Sequence, residues 1–238
     1  MRSEKKQMKI GIIGAMDEEI RILKEKMNNV QTTTIAGCEF FQGELNKKQV
    51  ILTKSGIGKV AAAVATTLLL EKFQPNVVIN TGSAGGYDRS LSVGDIVIST
   101  KVRFHDVDVT AFGYEIGQMA KLPAAFYADK KLIDIAQQAA QSSTSLKAVQ
   151  GLICTGDIFM ANPEKADIAR KNFPTMKACE MEAAAVAQVC HQFNVPFVII
   201  RSLSDIAGKK SAVSFEEHLP VAARNAALLI EGMLQALD

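Results

Sequence analysis

The 238-residue chain is 48% hydrophobic and 22% charged, long and apolar enough for one domain with a substantial core. Its net charge of +2 is scattered rather than pooled, which argues against nucleic acid or an anionic membrane as the main partner, since both demand a concentrated basic face. No run approaches the roughly 18 apolar residues needed to cross a bilayer, and the charged opening MRSEKKQ lacks the apolar stretch of a signal peptide.

A cytoplasmic protein is therefore expected, with residues 1–7 as an N-terminal extension and residues 8–238 as the folded domain. The predicted elements begin with KIGIIGA (9–15), an apolar run of strand length. A helix follows, with Ile20, Leu23 and Met27 on one side. EFFQGEL and KQVILTKS read as a hairpin around Asn46, and GKVAAAVATTLLLEKF (58–73) as a helix stopped by Pro75. NVVINTGSAGG is a short apolar strand ending in a glycine-rich turn, and GDIVISTKVRF is another strand. Asp129 caps a helix over 129–141.

The second half repeats the alternation. A strand at 148–156 is followed by a helix from Asn162-Pro163, a strand near KAC and a helix containing EMEAAAVAQVC (180–190). VPFVIIRSLSD (195–205) is a continuous apolar strand of the kind buried on both faces. Ser214 and Glu217 have capping-box spacing, which places the start of the closing helix there. Strands alternating with helices predict an α/β fold, a three-layer α/β/α sandwich around a mixed, mostly parallel sheet. Sites in such sheets gather at the carboxyl ends of strands.

Several candidates at those ends have structural readings. Asp17 and Glu18 complement a helix N-terminus, whereas Glu19 adjoins the apolar face beginning at Ile20 and can point inward. Gly56, Gly58 and Ala61 match GxGxxG/A, but the next strand ends in Asn80 rather than an acid, so a tight turn is the better reading. Residues 80–86 fit a plain turn or a ligand contact through Thr81 and Ser83 equally well. Asp205 ends the most apolar strand, either as a surface group or as an acid at the sheet's functional edge.

His105, Asp106 and Asp108 superficially resemble a metal cluster, but no second ligand group accompanies them, and no metal site is expected. His191 and His218 read as structural. Cysteines 38, 154, 179 and 190 have no metal or CxxC spacing and read as buried reduced thiols. Glu180 and Glu182, two apart on a helix, would point about 200° apart, so at most one enters a site. The residues alone thus gather Glu19, Glu180 or Glu182, and Asp205 at one sheet edge. Spaced carboxylates suit glycosidic hydrolysis through a cationic transition state.

In order, IGIIGAMDEE, SGIGKVAAA, INTGSAGG, VGDIVIS, HDVDVTAFGYE, EMEAAAVA and VPFVIIRSLSD resemble the 5′-methylthioadenosine/S-adenosylhomocysteine nucleosidases of the nucleoside phosphorylase superfamily. The resemblance runs from about Met8 to the C-terminus. It implies a homodimer that cleaves the N-glycosidic bond of these nucleosides and releases adenine, without metal or organic cofactor. Asp205 would protonate purine N7, supported by Ser204, and Glu19 would activate water. Glu182, rather than Glu180, would bind the ribose hydroxyls, with Met181 against the sugar and Ser83 on the ribose side. Phe159 and the neighbouring Met160 would meet adenine, while Met16, Ile57 and Phe215 shape the pocket. Val109 and Phe112 would come from the partner subunit to cover the alkylthio end. Two positions depart from the family, Ala120 for a usual proline and Met160 for a frequent isoleucine, and both bear on substrate preference.

Overall fold

In β1 (Lys9–Gly14), Ile12 and Ile13 face opposite core layers, as alternation along a strand buried on both sides requires. The computed structural model describes residues 8–207 and 211–237, so the predicted extension at 1–7 lies outside the described residues. After β1 come α1 (Asp17–Lys26), β2 (Asn28–Ile35), β3 (Cys38–Leu45), β4 (Lys48–Lys54), α2 (Lys59–Leu68) and β5 (Val77–Gly86). Then follow β6 (Ile96–Phe104), β7 (Phe126–Tyr127), α3 (Lys130–Gln141), β8 (Ala148–Thr155) and α4 (Pro163–Asn172). The chain closes with β9 (Met176–Glu180), α5 (Ala183–Phe193), β10 (Phe197–Ile206) and α6 (Ser211–Ala236).

The sheet runs β10-β6-β8-β9-β5-β1-β4-β3-β2, with β7 on β6. Parallel pairing joins β4, β1, β5 and β10, and again β6, β8 and β9. Because β5 also pairs with β10, the strands β5, β10, β6, β8 and β9 close into a ring. Helices α2 and α5 pack together on one face, and α1 and α3 both pack on α6 across the other. The three-layer α/β arrangement is therefore present. The cores differ in kind: α5 contributes a block of alanines, Ala183 to Ala187 around Val186, whereas α6 contributes Leu229, Ile230 and Met233. Small residues let α5 lie close to the strands that carry the site.

Most predicted elements occur, including the Asp129 cap, whose carboxylate accepts the Leu132 N–H at 3.0 Å, and the Asn162-Pro163 helix start. Four readings need correction. NTGSAGG is not a turn: β5 continues to Gly86, because its glycines allow partners that a Cβ would displace. The hairpin gains a third strand, the exposed β2, which pairs with β3. The 58–73 helix changes to a π-helical turn over Leu69–Phe73 and ends at Gln74 (φ +50°). Finally, α6 starts at Ser211, and the Ser214 hydroxyl is not a cap: it donates to the Ser204 carbonyl at 3.1 Å and fastens α6 to β10. The four cysteines are free and buried, and no described helix is long and apolar enough to cross a membrane.

Ile79 is fully buried on β5, opposite Ile12 of β1 and Val198 of β10. Ile79→Ala is expected to cost about 2–5 kcal/mol, read as a lower urea midpoint at unchanged slope. A loss below about 1 kcal/mol would show that this layer is loosely packed.

Candidate active site

The carboxyl ends of β1, β5, β9 and β10 meet around a cavity of about 280 Å³. Met16, Ile57, Phe159 and Phe215 form its apolar walls, the two phenylalanine rings edge to face at 5.7 Å. Its polar walls are Glu19, Ser83, Glu180, Glu182, Ser204 and Asp205. A larger cleft of about 480 Å³ beside Asp88 and Arg170 has no comparable convergence of acids, and two of its charges are locally paired: Asp88 with Lys177 and Arg170 with Asp167.

Glu19 sits in the first turn of α1 and is buried. Its Oε2 accepts the N–H groups of Ala15 at 2.8 Å and Met16 at 3.2 Å; its Oε1 accepts the Ser83 N–H at 2.9 Å and hydroxyl at 3.0 Å. Four donors thus fix the carboxylate against β5. Gly82 makes this possible, because a Cβ there would lie 2.7 Å from Glu19 Oε1 and 2.4 Å from Arg201 Nη1.

Arg201 was not among the residues singled out from the sequence. It is 1% exposed, and its guanidinium donates to Asn80 Oδ1 at 2.8 Å and to Glu180 Oε2 through both Nε and Nη2. Glu182 Oε2 lies 3.6 Å away. Burial works against the charge, but Glu180, Glu182 and Glu19 outweigh it and raise the pKa. An arginine inside the apolar run VIIRSLS was the available signal, since such a charge is rarely buried without partners.

Glu180 ends β9 and is fully engaged. Beyond Arg201 it accepts the N–H groups of Glu182 at 3.0 Å and Ala183 at 2.8 Å, at the start of α5, and the Thr155 hydroxyl. Glu182 precedes α5, and its Oε1 accepts the Gly58 N–H at 2.9 Å. Both residues line the cavity, where only one was expected, although the Glu180 carboxylate is taken up by Arg201, Thr155 and the first amides of α5. That expectation assumed helical spacing, whereas the two residues lie on the connection between strand and helix. Burial and the adjacent Glu180 charge push Glu182 up to about 8.

Asp205, 3% exposed at the end of β10, accepts the Ser204 hydroxyl at 3.0 Å. Its Oδ2 lies 3.3 Å from where a Gly85 Cβ would be, so the glycine keeps the acid open to the cavity. Ten of the predicted residues line this one cavity, Met181 among them. Met160 lies just outside it, buried behind Phe159 with Cys179 and Tyr87. Val109 and Phe112 do not line it, and Phe112 is 81% exposed. Among the described residues no group of three or more histidine, cysteine or acidic residues is placed to hold a metal, and Asp106 instead pairs with Lys59 at 2.6 Å.

Residues 9–235 match the phosphorylase superfamily. A 5′-methylthioadenosine/S-adenosylhomocysteine nucleosidase of Psychromonas ingrahamii is 77% identical over 231 residues, covering 97% of this chain and all of that one. A nucleosidase of the same name from Colwellia psychrerythraea, solved in complex with adenine, superposes with a TM-score of 0.95 at 55% identity, covering 98% of this chain and 96% of that one. Another from Neisseria meningitidis, in complex with methylthio-immucillin-A, gives 0.95 at 48% identity, covering 96% and 99%.

The raised pKa of Glu182 has a measurable sign. Between its ordinary value of 4.5 and about 8, the folded chain retains a proton that the unfolded chain has released. Stability is therefore expected to fall as pH rises through that window, by up to about 1.4 kcal/mol per pH unit from this group. Glu182→Gln should flatten that part of the profile in urea melts from pH 5 to pH 8. Identical slopes in the two proteins would mean that another group holds the proton.

Proposed function

Because the chain belongs to the 5′-methylthioadenosine/S-adenosylhomocysteine nucleosidases of the phosphorylase superfamily, we propose that it hydrolyses the N-glycosidic bond of these nucleosides, releasing adenine and the thioribose. One observation carries the hydrolytic mechanism. Among the described residues, the cavity is lined by acidic residues from four separate elements, α1, β9, β10 and the entry to α5, and by no lysine or arginine. Phosphorolysis needs a cationic cradle for phosphate, whereas Glu19 occupies the edge beside Ser83 and would repel the anion.

In this reading adenine lies between Phe159 and Phe215, and the Asp205 carboxyl donates its proton to purine N7. The neutralised base is a better leaving group, and each 1.36 kcal/mol or so removed from the barrier is worth tenfold in rate. Ser204 holds Asp205 in place, and Met181 packs under the sugar. Ribose hydroxyls donate to Glu182, hydrogen bonds that favour its charged form and set a negative charge beside the forming cation. Glu19 takes a proton from the water that attacks the anomeric carbon, and Ser83 helps to hold that edge.

Residues 8–238 form the catalytic domain in this proposal, and the protein works in the cytoplasm, where buried thiols stay reduced. A second copy of the chain completes the alkylthio end. Exposed Phe112, with Val109 beside it, together with exposed Val60 and Met119, would be covered by that contact.

Incubation with methylthioadenosine, with and without phosphate, followed by chromatography, is expected to give adenine and free methylthioribose in both cases. A sugar 1-phosphate would overturn the hydrolytic reading. Asp205→Asn should lower kcat by about 10²–10⁴-fold while adenine still binds, and Glu19→Gln should do likewise. Undiminished turnover in either variant would remove that residue from the mechanism.

A further inference from the structure

Helix α2 starts without a cap of its own. Its N-cap position is Gly58, held at φ +94°, a backbone conformation that residues with side chains rarely adopt. The first amides of the helix therefore find acceptors far away in sequence. The Gly58 N–H donates to Glu182, and the Lys59 N–H donates to Asp157 Oδ1 at 2.8 Å. Asp157 lies two residues before Phe159, which lines the cavity.

Three further contacts tie the same point. The Lys59 ammonium reaches Asp106 Oδ2 at 2.6 Å and lies 3.8 Å from Asp157 Oδ2, and the Asp157 N–H donates to the same Asp106 oxygen at 2.9 Å. Asp106, which resembled a metal ligand in the sequence, is thus the base of a clip. Asp157 Oδ1 also lies 3.1 Å from where a Gly58 Cβ would be, so it rests directly against the glycine.

We propose that Asp157 is a positioning residue for ribose binding: it caps α2 from the segment that leads into Phe159 and, with Asp106 and Lys59, holds the Gly58 N–H on the Glu182 carboxylate. The inference rests on the nucleosidase reading and on Glu182 as the ribose acceptor. Glu182 needs this help because the groups facing it are mostly acidic: Glu180 from β9, Glu19 from α1 and Asp205 across the cavity, against Arg201 from β10. The Gly58 N–H is a directed donor that favours the charged form. Loosening it makes Glu182 a weaker acceptor and moves its titration to higher pH.

The test compares Asp157→Ala, Asp157→Asn and Asp157→Glu in the full chain, with methylthioadenosine as substrate across pH 5 to 9. Asparagine keeps an acceptor oxygen on the Lys59 N–H. Glutamate keeps the charge, but its extra methylene carries the oxygens off that N–H. The alanine variant is expected to lose about tenfold in kcat/KM, and its acid limb should move up by about half a pH unit or more. The asparagine variant should stay within about threefold of the parent with its limb unmoved, and glutamate should resemble alanine. If the alanine chain fails to fold, the asparagine and glutamate variants alone give the same ordering.

Parent-like activity in Asp157→Ala, or an unmoved limb in every variant, would overturn the proposal. So would a good glutamate variant beside a poor asparagine one. Glu182→Gln separates this failure from failure of the underlying reading: an unchanged nucleoside KM there would remove Glu182 from ribose binding altogether.

Discussion

A guanidinium in the middle of a sheet is the constraint around which the rest is arranged. Taking Arg201 out of water costs several kcal/mol, and only close, directed partners can offset that. Its partners come from separate strands, Asn80 from β5 and Glu180 from β9, while the arginine itself is on β10. The ion pair therefore joins β10 to β9 across β5, which pairs with both, in the ring that underlies the cavity. It also dictates sequence elsewhere. Position 82 has room for no side chain, and Glu180, drawn inward by the charge, becomes available to the first amides of α5.

Four acids in one small volume behave differently because their donors differ. Glu19 is held by four hydrogen bonds, Glu180 by the arginine, two helix amides and a threonine hydroxyl. Glu182 has one amide and a more distant guanidinium, and burial lifts it to about 8. Asp205 faces the cavity with a serine at its side. A site that must donate a proton, accept ribose hydroxyls and activate water gains from that inequality, since identical environments would give four acids of one character.

Much of this was legible in the sequence. The apolar runs at 10–14 and 197–204 became buried strands because no charge except Arg201 in them resists burial on both faces. Acids at predicted strand ends found the cavity. What escaped notice depends on contacts distant along the chain. NNVQTTTI has too few apolar residues to signal a strand, and β2 is held by its ladder to β3 rather than by a core. Glycines at 82, 85 and 86 read as a turn until the groups crowding them are known. Glu180 and Glu182 obeyed no helical period because the helix begins only at Ala183. Asp157 carries no local sign of its role, since the amide that it accepts is 98 residues away.

The ring also imposes an order in time. Arg201 and Asn80 are 121 residues apart, Glu182 and Gly58 are 124, and chain closure over such distances must precede any gain from the contacts. During synthesis, Glu180 and Glu182 emerge before the arginine that neutralises them. Until β10 threads between β5 and β6, the segment carrying both acids has no buried counter-charge, and its natural place is in water. The cavity is thus assembled when the last strand arrives, and a chain stopped short of residue 201 would hold every other strand of the sheet while lacking the charge that lets them close.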